Sequence, residues 1–197
     1  MNQMLQESSE LTDSPELKEP AEANAASGTV DRRPVPAHPR FAKPQRVAFV
    51  QSSWHREVVE ECRIAFLAEI EERGIERARI DLFEVPGSFE IPLHAQLLAK
   101  TRRYTAIVAA GLVVDGGIYR HEFVADTVIK ALMDVQLRTE VPVFSAVLTP
   151  QQFHESAAHF EFFRKHFATK GVEVAEACAN TLLSLERLRG QVAAGIV

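Results

Sequence analysis

A three-layer α/β/α sandwich on a four-stranded parallel sheet is predicted by three features of the chain. Short apolar runs rich in β-formers alternate with segments of helical period, which implies right-handed strand–helix–strand units with helices on both faces of the sheet. One run, Ala106–Val114, is apolar throughout, as a strand covered on both faces must be. Each run ends on turn-forming or helix-starting residues.

Arg46–Gln51 (RVAFVQ) is the first strand, and Ser52-Ser53 supplies a cap for the helix in which Val59, Cys62, Phe66 and Ile70 recur at spacings of three and four. Gly74 ends that helix. Arg79–Val85 (RIDLFEV) alternates as the second strand, and Pro86-Gly87 turns the chain into a helix over Phe89–Lys100. The apolar third strand is followed by a helix from about Tyr119 to Arg138, and Val141–Leu148 (VPVFSAVL) is the fourth strand. Thr149-Pro150 opens a polar, His-rich connection. The remainder reads as two helices interrupted at Gly171 and ending near Arg189.

With 197 residues, 46% of them hydrophobic, the chain can bury one domain core and carry a tail. Residues 1–43 hold five of the ten prolines and few large apolar residues, so burial cannot offset their ordering entropy; they are expected to be disordered. The expected organisation is a tail over 1–43, an α/β domain over 44–190 and a C-terminal tail over 191–197. A net charge of -5, without clustered Lys and Arg, argues against nucleic-acid or anionic-membrane partners. No apolar run approaches a membrane span and no signal peptide opens the chain. Cys62 and Cys178 lack any ligand spacing and read as buried free thiols suited to a reducing cytoplasm.

In such folds ligands sit beyond the carboxyl ends of the strands. After the third strand, Asp115-Gly116-Gly117 runs into a helix start, where free N–H groups and the helix dipole favour an anion such as phosphate; a plain structural turn has the same form. Arg120 and His121 stand beside it, the first suited to holding phosphate and the second to proton transfer, and the sequence does not decide which faces a ligand. After the first strand comes Trp54, the only tryptophan, placed either to stack on a flat heterocycle or to serve as an anchor. After the second, Ser88 and Glu90 are either ligands for polar groups or helix-start chemistry. His154, His159 and His166 have no metal-ligand spacing. His159, Arg164, Lys165 and His166 form a cationic cluster, read as a solvated face or a phosphate clamp. G-x-S-x-G, P-loop and G-x-G-x-x-G motifs are absent, which weakens hydrolase, triphosphatase and dinucleotide readings.

From about Arg46 to Leu183 the chain resembles the lumazine synthase family, most specifically through VPGSFEIP at Val85–Pro92 and its distance from the Gly-Gly loop. The resemblance implies a flavodoxin-like topology and condensation of 5-amino-6-(D-ribitylamino)uracil with 3,4-dihydroxy-2-butanone 4-phosphate to 6,7-dimethyl-8-ribityllumazine, without cofactor or metal. It places the pyrimidine-stacking aromatic on Trp54 and the G-[AS]-x-E turn on Gly87, Ser88, Phe89 and Glu90. The ring-binding strand end falls on Leu112, Val113 and Val114, the phosphate loop on Gly116, Gly117 and Ile118, and a further substrate contact on Ser145. Arg120 stands where most of the family has its catalytic histidine, with His121 one position later, and DGGIYRH is similar to the divergent second bacterial type. Phe162 stands where a phosphate-binding arginine is usual, with His159 and Arg164 the nearest cations. The resemblance also implies pentamers with active sites shared between neighbours, paired into decamers in the divergent type. A lumazine- or riboflavin-binding relative without turnover, a shell-forming protein and a flavodoxin-like electron carrier are the competing readings. The electron carrier is disfavoured because SSWH, not a hydroxyl-rich phosphate loop, follows the first strand.

Overall fold

The computed structural model describes residues 41–118, 120–154 and 156–197. Up to residue 40, the expected disordered tail lies outside the described residues. Strands β1 (Val47–Ser52), β2 (Ile80–Val85), β3 (Ala106–Leu112) and β4 (Val143–Leu148) form one parallel sheet in the order β2-β1-β3-β4. Helices α1 (Arg56–Glu72), α2 (Ile91–Lys100), α3 (His121–Thr139) and α4 (Ala157–Ala193) follow β1, β2, β3 and β4 in turn.

The predicted sandwich is borne out, and strand alternation explains its two cores. Val47 and Phe49 of β1 and Val108 and Ala110 of β3 face one side, under Cys62, Phe66 and Ile70 of α1 and Phe167, Ala175 and Cys178 of α4. Ala48 and Val50 with Ile107 and Ala109 face the other, under Ile91 and Ala95 of α2 and Val128, Leu132 and Val135 of α3. Both central strands are therefore apolar without interruption until β1 reaches Gln51, whereas the edge strands β2 and β4 carry polar positions.

Several boundaries differ from the sequence reading. Residues 77–79 form a 3-10 turn before β2, and Ser88–Glu90 form another before α2. Ser52 and Ser53 do not cap α1: Ser52 ends β1, and His55, in the left-handed region at φ 52°, occupies the N-cap position. The Ser53 hydroxyl instead donates to the Pro86 carbonyl at 3.1 Å. Residues 41–43, expected in the tail, are tied down, since Phe41 packs on the core and the Ala42 and Lys43 N–H groups donate to the Glu186 carboxylate.

Gly171 interrupts nothing, and one continuous helix of 37 residues replaces the two expected ones, running on into the expected C-terminal tail as far as Ala193. A Cβ on Gly171 would lie 2.3 Å from the Cys62 carbonyl oxygen, 2.8 Å from the Ala65 Cβ and 2.9 Å from the Phe66 nitrogen. The glycine is there because α4 crosses α1 at backbone contact. Neighbouring turns of a well-packed helix carry the small conformational cost.

At the amino end of the strands, the Arg46 guanidinium holds Asp81 through two hydrogen bonds of 2.9 and 2.6 Å, and the Tyr104 hydroxyl donates to the same carboxylate at 2.8 Å. This network joins β1, β2 and the start of β3 at the end of the sheet opposite the site described below.

Candidate active site

All four strands run parallel, but successive strands are added to one side of β1 and then, from β3 on, to the other, so a crevice opens beyond the carboxyl ends of β1 and β3. The pairing of β1 with β2 continues past the strands: the Ser53 N–H donates to the Val85 carbonyl at 2.8 Å and the Trp54 N–H to the Pro86 carbonyl at 3.1 Å. The corner carrying Trp54 is thus fastened to the corner carrying Gly87. The indole is two-thirds exposed, a high exposure for so large an apolar ring. On the second corner the Glu90 carboxylate turns back and accepts the Gly87 N–H at 2.9 Å. Ser88 is buried and its hydroxyl oxygen has no partner among the described residues.

The third corner is the glycine loop. Asp115 accepts the Gly117 N–H at 2.8 Å, and Gly117 takes φ +74°, a conformation that suits a residue without Cβ. One amide that the sequence offered to an anion is therefore occupied by Asp115. The helix itself starts at His121, and no side chain caps it. Its first N–H groups keep the positive potential of a helix N-terminus for whatever occupies the crevice.

The sequence left Arg120 and His121 undecided, and both line the crevice, in different postures. The Arg120 guanidinium lies over the Phe123 ring, 4.8 Å from its centroid, and the residue is exposed. The His121 side chain is 14% exposed, with Nδ1 3.5 Å from the Glu122 carboxylate. The imidazole is the more enclosed of the two.

The crevice measures about 470 Å3 and is lined by Trp54, Ser88, Phe89 and Glu90 from the first two corners, Leu112, Val113 and Val114 from the end of β3, and Gly116, Arg120 and His121 from the third. Sequence reasoning gave no role to His55 and Val124, which complete the lining. Val124 was findable, since it lies one turn beyond Arg120 on the same helix face. His55 was not, because its inward position follows from the left-handed N-cap.

Gly117, Ile118, Ser145, His159 and Arg164 do not line this crevice. Ile118 is 82% exposed. Ser145 is exposed on edge strand β4, where its hydroxyl accepts the Val147 N–H at 3.2 Å. His159 accepts the His154 N–H at Nδ1, which leaves Nε2 as its donor in the neutral ring. Arg164 is paired with Glu61 at 2.5 Å. His166 stacks on Phe162, with ring planes 3° apart.

A hollow of similar size, about 490 Å3, lies at the other end of the sheet and gathers none of the predicted residues. Its Lys100, Arg102 and Arg138 sit at the carboxyl ends of α2 and α3, where the helix dipole favours cations.

An aromatic ring, a polar turn and a helix N-terminus around one apolar floor match what the family resemblance implies. A family model described as 6,7-dimethyl-8-ribityllumazine synthase matches residues 44–186. The chain belongs to that family. It is 83% identical over 163 residues to 6,7-dimethyl-8-ribityllumazine synthase 2 of Bradyrhizobium diazoefficiens, covering 83% of this chain and 98% of the relative. To the protein of the same name from Rhodopseudomonas palustris it is 70% identical over 175 residues, 89% of this chain and 93% of that one. Identity to 6,7-dimethyl-8-ribityllumazine synthase 1 of Caulobacter vibrioides is 35% over 146 residues, covering 74% and 94%. That contrast groups the chain with the second type of lumazine synthase, as DGGIYRH suggested.

Proposed function

We propose that this lumazine synthase family member condenses 5-amino-6-(D-ribitylamino)uracil with 3,4-dihydroxy-2-butanone 4-phosphate to give 6,7-dimethyl-8-ribityllumazine, the penultimate step of riboflavin biosynthesis. The observation that carries the proposal is one crevice with an exposed indole at one corner and an uncapped helix N-terminus at another. In the reaction an amine of the pyrimidine adds to the ketone and water leaves; phosphate leaves by elimination, and the ring closes on the second nitrogen with loss of a second water. Each step moves a proton but needs no redox partner. Holding the two substrates in register supplies most of the acceleration, and proton transfer adds roughly two to four orders of magnitude.

On this reading Trp54 stacks on the pyrimidine over the floor of Leu112, Val113 and Val114. Ser88 and Glu90, with the Phe89 backbone between them, bind the ribityl chain and ring N–H groups. The α3 N-terminus, Gly116 and Arg120 hold the phosphate; Gly117, whose amide is turned to Asp115, and Ile118 shape the loop at its rim. His121, the more enclosed of the two, transfers protons, and Arg120 neutralises the leaving group.

Ser145, His159 and Arg164 lie outside their own chain's crevice, and we assign them to a neighbour's site in a pentamer, two of which pair into a decamer. Support comes from the apolar residues left exposed on α2 and α3, Leu93, Leu97, Phe123, Ile129, Met133 and Leu137. A cytoplasmic location suits the two buried, unpaired cysteines. The expected domain limits of 44 and 190 are widened: the α/β domain is taken to run from Phe41 to the end of α4 at Ala193.

The deciding experiment is a steady-state assay of lumazine formation by the purified protein from both substrates. Turnover saturable in each is expected. Tight lumazine or riboflavin binding with no turnover would instead make it a flavin-type binder. Light scattering of the same sample reads the assembly, with five or ten copies expected.

A further inference from the structure

We propose that Ser52, which has no part in the site so far described, is a positioning residue for the pyrimidine–ribityl end of the crevice, acting through Ser88. The proposal rests on reading that crevice as the lumazine-forming site. Ser52 is the last residue of β1, wholly buried, and it faces the same side of the sheet as Ala48 and Val50. An apolar side chain would satisfy that environment. A serine stands there instead, and its hydroxyl oxygen has no partner among the described residues.

The second orphan is its neighbour across β3. An ideal Cβ on Gly111 would lie 2.3 Å from the Ser88 hydroxyl oxygen and 3.2 Å from that of Ser52. Gly111 is in a β-strand and makes no turn, so its missing side chain serves to admit these two hydroxyls over one bare patch of backbone. One of them, Ser88, lines the crevice; the other lies behind it.

Buried hydroxyls without partners are costly, and in native proteins such groups ask for a reason. The pair has one. When Ser88 donates to a ligand oxygen or ring nitrogen, its lone pairs become the natural acceptor for the Ser52 hydroxyl, either directly after rotation about χ1 or through one bridging water. Ser52 then fixes the direction of the Ser88 proton.

Ser52→Ala tests this. With positioning, KM for the pyrimidine and the Kd for 6,7-dimethyl-8-ribityllumazine, read by ligand fluorescence, rise about tenfold. KM for the phosphorylated ketone stays within twofold, and the thermal midpoint is unchanged or higher, because the hydroxyl removed had no partner. In a Ser88→Ala background, Ser52→Ala should add no further loss. Ser52→Cys, of similar volume, keeps the protein folded if alanine does not and should give an intermediate loss. A pyrimidine KM and lumazine Kd within twofold of the parent in either folded variant would overturn the proposal. So would losses that add to those of Ser88→Ala, or that follow a lowered midpoint. The lumazine Kd needs no turnover, so a parent that binds but does not condense would defeat the enzymatic reading while leaving Ser52 still measurable.

Discussion

The six-membered ring of Trp54 lies so close over Gly87 that a Cβ there would meet its Cε3 and Cζ3 atoms at 3.0 Å. Gly87 has an extended backbone that any residue can adopt, so a side chain there is opposed by the indole, and by the Glu90 carboxylate at 3.1 Å, and not by the backbone conformation. Gly87→Ala should therefore displace the ring and raise KM for the pyrimidine severalfold. Trp54→Ala should raise it about tenfold or more, the usual worth of stacking on a flat base. Both are read by varying one substrate at saturation in the other. An unchanged pyrimidine KM in Trp54→Ala would remove the stacking role.

Arg120 and His121 separate by kinetic signature. Arg120→Ala should raise KM for the phosphorylated ketone more than for the pyrimidine, because it removes a fixed charge from the phosphate end. His121→Ala should lower kcat by roughly two orders of magnitude or more with smaller changes in KM. A His121→Ala rate within threefold of the parent would transfer the proton role elsewhere.

Gly171→Ala is expected to destabilise the fold by about 1–3 kcal/mol or more, since the added methyl meets backbone atoms of α1 that cannot move aside. Urea unfolding checks the magnitude. A midpoint equal to the parent's would mean that the two helices can separate without loss.

Asp81 and Tyr104 set opposite limbs of a pH profile. Burial alone would raise the Asp81 carboxyl, but the hydrogen bonds from Tyr104 and Arg46 outweigh it and hold its pKa below the ordinary value. Its contribution is full above the unfolded pKa of about 3.9 and is lost as pH falls through the lower folded value. Burial, then the hydrogen bond to Asp81, raises the Tyr104 phenol. That contribution is full below the unfolded value of about 10 and is lost as pH rises through the folded one. Asp81→Asn should flatten the acid limb of thermal stability and shrink the alkaline loss, whose onset stays at the unfolded Tyr104 value of about 10. Unaltered limbs would deny the network any weight.

Much of the site was legible because it stands on local grammar. Apolar runs, a turn such as Pro86-Gly87 and the Asp115-Gly116-Gly117 break are short-range signals, and parallel topology then obliges the strand ends to meet. Local patterning in this chain determined the layered fold, the order of its elements and the three corners that bear Trp54, Ser88 and Arg120. Only tertiary contact decided what three glycines are for: Gly171 admits α1, Gly87 the Trp54 ring, and Gly111 the Ser88 and Ser52 hydroxyls. It likewise decided that Asp115 occupies a loop amide and that His121 is more enclosed than Arg120. A missing side chain records nothing about the distant atom that fills its place, and that atom is known only once the chain has closed on itself.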